Sequence, residues 1–229
     1  MVLEDVKLAV FDLDGTLKQA RDPYVYLHQR LGTLEASRPI TEKGMSGQLA
    51  YEEWLRQDVS LWKGVPRRVL EDLFRQNPYL PGAREVVRLL QDAGVTVAII
   101  SSGLLLHAEL VAEELNIPIA IGNEIFFEPN GGEWVVSGQV KAHCPYNGKG
   151  EVLAALQAEL GVPPEETLTV GDSRGDIPMF QRARWSVAVQ PSHPTVAQAA
   201  TWVIPHATLH PLREWLGVTI DDLGVTIDD

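Results

Sequence analysis

Three short polar clusters in this chain carry residue types suited to metal and phosphate chemistry. Asp12-Leu13-Asp14-Gly15-Thr16 follows the apolar run Leu8, Ala9, Val10, Phe11; Ser101-Ser102-Gly103 follows Val95–Ile100; Gly171-Asp172-Ser173 follows Leu168–Val170. Carboxylates at the end of a core strand are costly to bury unless a cation meets them. Carboxylates, hydroxyls, glycine backbone and a helix start after Gly103 together suit an anion held through a divalent metal. Each cluster alone is an ordinary turn or helix cap. Their joint placement after buried apolar runs is what favours chemistry.

The elements that must position these clusters are legible in the hydrophobic pattern. Lys7–Phe11, Val95–Ile100, Leu168–Val170 and Ser186–Val189 are predicted as buried strands, with Ile117–Ile121 as a fifth. Each is too short for a helix and bounded by turn residues. Helical patterns lie between them: one from Pro81-Gly82 through Val86, Val87, Leu89, Leu90 and Ala93 to Gly94, then Leu104–Leu115 and Gly150–Leu160. Such alternation predicts an α/β fold, a mainly parallel sheet with helices on both faces. Ligands of such sheets bind outside the carboxyl ends of the strands, so the three clusters converge on one crevice.

Residues 18–79 contain no strand-like run, and "YVYLHQRLG" and "YEEWLRQDVSLW" read as amphipathic helices. This segment is predicted to be a helical cap inserted after the first strand. Met45, Tyr51, Trp54 and Trp62 are expected in its core.

Composition narrows the partners. With 229 residues and 45% hydrophobic content the chain can bury a substantial core. A net charge of -12 argues against nucleic acid or an anionic membrane. The lone Cys144 allows no internal disulfide and no CxxC metal site. The N-terminus reads as neither a signal peptide nor a span, so a cytoplasmic protein is expected. "GVTIDD" occurs at 217–222 and again at 224–229, and is assigned no function.

"FDLDGTL", "IISSG", "NGKGEVL" and "GDSRGD" occur in the order of the four motifs of the haloacid dehalogenase (HAD) superfamily. From about Lys7 to Val189 the chain resembles that superfamily, and within it the phosphoserine-phosphatase-like branch. Residues 45–66 resemble the branch's helical insert and 122–140 its hairpin, and the resemblance sets Met45 and Tyr51 at substrate-facing positions, which divides them between core and pocket. The resemblance implies a HAD-like Rossmannoid core over 1–17 and 80–216, a helical cap over 18–79 and a tail over 217–229. It also implies Mg²⁺-dependent hydrolysis of a small phosphorylated metabolite.

Roles follow from the same resemblance. Asp12 would be the nucleophile, forming an aspartyl-phosphate. Asp14 would protonate the leaving oxygen and then activate water. Ser101 would hold phosphoryl oxygens, with Ser102 and Gly103 beside it, and Lys149 would neutralise charge on nucleophile and phosphoryl group. Mg²⁺ would be held by Asp12, the Asp14 main-chain carbonyl and Asp172, with Asp176 supporting the metal or its waters. A phosphotransferase or mutase on the same core, and a non-catalytic phosphate-binding relative, are the competing readings.

Three positions depart from the branch. Arg21 stands where a glutamate holds the serine ammonium, and Asp58 where an arginine holds the carboxylate. Either the two read a substrate of reversed charge or they pair and close the cap; Asp22, Glu53 and Arg56 are further candidates. Gly175 stands where an asparagine is usual. Of the histidines, His107 is the one near Gly103, and a surface position is expected for it.

Overall fold

A computed structural model describes residues 3–216; the repeated tail lies outside the described residues. In chain order the elements are β1 (Leu8–Phe11), α1 (Pro23–Leu31), α2 (Leu34–Met45), α3 (Tyr51–Ser60), α4 (Arg67–Gln76), α5 (Ala83–Asp92), β2 (Thr96–Leu104) and α6 (Leu105–Leu115). They continue with β3 (Ile119–Asn130), β4 (Glu133–Lys141), α7 (Lys149–Leu160), β5 (Thr167–Gly171), α8 (Ile177–Phe180), β6 (Trp185–Val189), α9 (Pro194–Ala199), β7 (Trp202–Ile204) and α10 (His210–Trp215).

The sheet order is β4-β3-β2-β1-β5-β6-β7, parallel except for the β3–β4 hairpin. β1 is central, pairing Leu8 with Thr96 on one side and with Thr167 on the other. All four of its residues are fully buried, and the two-residue period of a strand divides them. Ala9 and Phe11 enter a core with α5, α6 and α10, whereas Leu8 and Val10 enter a second with α7, α8 and α9. Continuous apolarity with both faces covered is thus satisfied. The chain turns outward to β2 and β3 on one side and to β5 and β6 on the other. The carboxyl end of β1 is therefore the switch point at which such sheets form a crevice.

The expected strands are present with altered ends. β3 does not stop at Ile121 but runs on to Asn130, leaving the parallel sheet and entering the hairpin. β2 continues through Ser101–Gly103, which were expected as a turn, with an irregular register between Ile100 and Leu104. Pairing of Leu104 with Asn123 on the prolonged β3 holds this stretch extended. β7 was not anticipated, since only Trp202, Val203 and Ile204 form it.

Helices α1 to α4 occupy the segment between β1 and Pro81. Tyr26, Leu27, Val59, Trp62, Leu70 and Phe74 from this segment share a third core with Leu104, Leu106 and Leu110 near α6 and with Ile125 and Val136 of the hairpin. Backbone bonds from Gly64 to Val136 and from Val136 back to Val65 join the segment to β4. The helical insert is therefore packed onto the sheet's outer hairpin and α6 through shared apolar burial. Trp62 is buried as expected, whereas Met45 is 78% exposed at the end of α2, so it is neither a core nor an enclosed pocket residue.

Candidate active site

The β1 ladder delivers Asp12 directly into the crevice. Its backbone N–H still donates to Val170 O at 2.8 Å, so Asp12 is the last residue held by the sheet. The carbonyl of Leu13 then accepts from Leu17 N and Lys18 N at 3.0 and 2.9 Å, closing a tight turn. Gly15 completes the turn at φ +91°, and an added Cβ there would lie 2.5 Å from Asp172 Oδ2. Both the left-handed backbone and the close approach of Asp172 require glycine.

Both carboxylate oxygens of Asp12 are engaged. Lys149 Nζ donates to Oδ1 at 2.5 Å and Thr16 Oγ1 to Oδ2 at 2.9 Å. Lys149 also donates to Asp176 Oδ1 at 2.5 Å, and its side chain is 1% exposed. Burial opposes the lysine's charge, but Asp12 and Asp176 more than offset this and hold the ammonium above its ordinary range. Asp176 Oδ2 accepts from Asp172 N, Ser173 N and Ser173 Oγ at 3.0, 2.8 and 2.9 Å. Asp176 thereby shapes the loop after β5 while anchoring Lys149.

One carboxylate oxygen from each of Asp12, Asp172 and Asp176 lies within 4.8 Å of the other two, and all three residues are buried. Two cations, Lys149 and Arg21, contact this trio, leaving one negative charge uncompensated before Asp14 is counted. Burial pushes Asp12 up to about 7, with Asp176 and Asp14 adding to the shift and Lys149 opposing it. Burial likewise pushes Asp172 up to about 8, reinforced by Asp12 and Asp176 and opposed by Arg21 and Lys149. Hard oxygen donors with a local deficit of positive charge fit a divalent cation such as Mg²⁺.

Asp14 faces away from this trio. Ser101 Oγ donates to its Oδ2 at 3.3 Å, and His107 Nδ1 lies 3.1 Å from its Oδ1. Gly103 N donates to Ser101 Oγ at 2.9 Å, which orients the hydroxyl. His107 is 1% exposed rather than on the surface. Its place in α6, three residues after Leu104 and four before Val111, puts it on the apolar face, a spacing that foretells burial.

The reversed-charge positions do not pair with each other. Arg21 Nε donates to Asp172 Oδ2 at 2.8 Å, and its Nη2 donates to the carbonyl of Gln190. Asp58 is buried elsewhere, 3.4 Å from His28 Nε2. Asp22 is the N-cap of α1, accepting from Tyr24 N and Val25 N at 2.9 Å each, ahead of Pro23 in the first turn. Glu53 and Arg56 form an exposed pair within α3. Gly175 packs against Tyr146: a Cβ there would lie 2.9 Å from both the ring and the carbonyl oxygen. The space an asparagine would need is thus taken.

Asn123, unforeseen from the sequence, ties these parts together. It is fully buried, and its Nδ2 lies 2.7 Å from Ser102 O, 3.0 Å from Tyr51 Oη and 3.2 Å from Cys144 O. Its Oδ1 accepts from His143 N and Cys144 N at 3.0 Å each. Tyr51 Oη in turn donates to Ser102 O at 3.0 Å. One amide thus joins the helical insert, the end of β2 and the loop leading to Lys149. A lone asparagine in the otherwise apolar-rich Ile119–Ile125 was the available signal.

The chain is similar to known proteins in both sequence and fold. The profile of the haloacid dehalogenase-like hydrolases matches residues 9–181. The chain is 33% identical over 183 residues to a phosphoserine phosphatase of Archaeoglobus fulgidus, covering 80% of this chain and 52% of that protein. It is 31% identical over 182 residues to the phosphoserine phosphatase of Methanocaldococcus jannaschii, covering 80% and 84%. The chain thus spans about half the length of some curated relatives and most of others. A solved structure described as a phospho-aspartyl intermediate analogue of phosphoserine phosphatase superposes with a TM-score of 0.76 at 28% identity, covering 92% of this chain and 99% of that one. With the motif residues gathered at one crevice, the chain belongs to the haloacid dehalogenase-like hydrolases, in their phosphoserine-phosphatase-like branch.

Proposed function

We propose that this chain is a Mg²⁺-dependent phosphatase that hydrolyses a small phosphomonoester through phosphorylation of Asp12. The observation that carries the reading is Lys149, buried between Asp12 and Asp176 at 2.5 Å from each. A carboxylate attacking a phosphate dianion meets like-charge repulsion of roughly 4 kcal/mol per charge pair at 4 Å and an effective dielectric of 20. The lysine offsets part of it at the nucleophile itself. A divalent cation held by Asp12, the Asp14 main-chain carbonyl and Asp172 would supply further positive charge and orient the phosphoryl group.

The chain's own groups divide the remaining work. Thr16 and Lys149 hold both oxygens of Asp12 and so fix the direction of attack. Ser101 Oγ, oriented by Gly103 N, turns its hydroxyl to a phosphoryl oxygen when substrate binds. Asp14, outside the carboxylate trio, gives its proton to the leaving oxygen and later takes one from the attacking water.

Helices α1 to α4 serve as the cap that excludes water and reads the leaving group. The relatives' name makes phosphoserine the first substrate to test. Arg21 and the buried Asp58 change the charges that would meet it, so the proposal extends to small phosphomonoesters as a class. A panel of phosphoserine, phosphothreonine, phosphoethanolamine and sugar phosphates, read as phosphate release with Mg²⁺ and with EDTA, tests this. Turnover should depend on metal and vanish in Asp12→Asn; activity in EDTA would overturn the mechanism.

A further inference from the structure

His107 is a buried titratable side chain that the reaction scheme above does not use. It comes from the first turn of α6 and its ring stacks on Phe74 of α4, with centroids 4.2 Å apart and planes 8° apart. Nδ1 lies 3.1 Å from Asp14 Oδ1. Nε2 is buried and has no partner among the described residues.

A buried imidazole with one partnered and one unpartnered nitrogen has a preferred proton position. An orphaned buried N–H is rarer than an orphaned acceptor. A proton on Nδ1 leaves only the Nε2 lone pair unmet and points the N–H at a carboxylate oxygen. We propose that His107 is a positioning residue for the acid–base group: it donates Nδ1–H to Asp14 Oδ1 and leaves Oδ2 as the atom that carries the transferred proton.

The geometry gives the two oxygens different work. Oδ1 is occupied from the α6 side by His107, whereas Oδ2 faces Ser101 Oγ at 3.3 Å, the hydroxyl expected to hold the phosphoryl group. In the first half-reaction an Asp12 oxygen forms a bond to phosphorus as the bond to the leaving oxygen breaks, and that oxygen takes the proton from Asp14 Oδ2. In the second, water bonds to phosphorus and passes a proton back to Oδ2 while the Asp12–phosphorus bond breaks. Without His107 the carboxylate is free to rotate and to protonate at Oδ1, out of reach of the leaving group. Phe74 belongs to the helical insert, so the imidazole plane is fixed only when that insert is packed down.

The proposal rests on the phosphatase reading, and its test separates the two. His107→Leu removes the donor, while His107→Asn retains an N–H near the Nδ1 position. With Mg²⁺, His107→Leu should lower kcat/KM, which reports the first half-reaction alone, about 10- to 100-fold on phosphoserine and glycerol 2-phosphate, whose leaving groups need a proton. The loss of kcat/KM on 4-nitrophenyl phosphate should be below about 3-fold, since its leaving group departs as an anion. His107→Asn should stay within about 5-fold of wild type on every ester. Equal losses on alkyl and aryl esters, or no rescue by His107→Asn, would overturn the role. Nitrogen-15 spectra of the metal-free wild-type imidazole give a second readout independent of turnover. A proton on Nδ1 is expected, and a bare Nδ1 with the proton on Nε2 overturns the proposal. A wild-type chain that hydrolyses none of the three esters fells the phosphatase reading and with it the catalytic half of this one; the spectrum then decides the hydrogen bond alone.

Discussion

The Arg21 guanidinium lies against Asp172, 151 positions further along the chain, Nε donating to Oδ2 at 2.8 Å. Asp172 is also one of the three clustered carboxylates, so Arg21 and a divalent cation both draw on it. Removing the arginine's charge should therefore tighten Mg²⁺ binding. Coulomb interaction over such distances at an interfacial dielectric gives roughly 1 kcal/mol, or about fivefold in affinity. Titration calorimetry on Arg21→Ala and wild type checks this, and equal affinities would show that the ion pair does not compete with metal.

The raised acidities of Asp12 and Asp172 predict a stability profile of unusual direction for carboxylates. Folded Asp12 and Asp172 hold protons up to about 7 and about 8, against 3.8 for an ordinary aspartate. The folded chain thus binds more protons than the unfolded chain between these limits, and stability falls as pH rises. In EDTA the melting temperature should drop from pH 5 to pH 8. Saturating Mg²⁺ should raise it more at pH 8 than at pH 5, because the cation replaces the protons. Asp172→Asn should flatten the upper part of the EDTA profile. Differential scanning fluorimetry across pH reads all three outcomes.

Asn123 should matter more to stability than any residue exposed at the crevice. Asn123→Ala leaves Cys144 O and two backbone N–H groups without their buried partner and takes one donor from Ser102 O. A loss of about 3 kcal/mol or more follows, a fall of about 6–12 °C in melting temperature for a chain of this size. Tyr51→Phe removes one of the donors to Ser102 O and should cost about 1 kcal/mol. Thermal melts of the two variants side by side measure the difference.

Gly175 tests whether its departure from asparagine is forced by packing. Its Cβ direction is blocked by the Tyr146 ring and by the Tyr146 carbonyl oxygen, each 2.9 Å away. Gly175→Ala should destabilise by about 1–3 kcal/mol. Adding Tyr146→Ala should restore only part of this, because the carbonyl oxygen remains. A double-mutant cycle of melting temperatures decides the point, and a neutral Gly175→Ala would contradict the packing account.

Much of the fold and the core of the site were legible in the residues alone. Short apolar runs ending in Asp12, Ser101 and Asp172 identify strands by periodicity, and parallel α/β topology sends such strand ends to one crevice. Lys149, at the start of a helix where its charge gains nothing from the dipole, also marked itself as facing an anion. These are local properties: a strand's length, a turn's glycine and a helix's boundary depend on near neighbours along the chain.

What neighbours cannot specify is which distant side chain meets which. Tertiary packing alone decided that Arg21 pairs with Asp172 rather than Asp58. It likewise decided that His107 turns inward onto Asp14 and that Asn123 binds three segments together. Each contact joins elements whose distance is set by the apolar cores on the two sheet faces and under the insert. Side-chain bonds act over about 3 Å, so their partners are chosen only after those cores have fixed the backbones. The clustered carboxylates are thus written in strand ends, and the charges that surround them are written in packing.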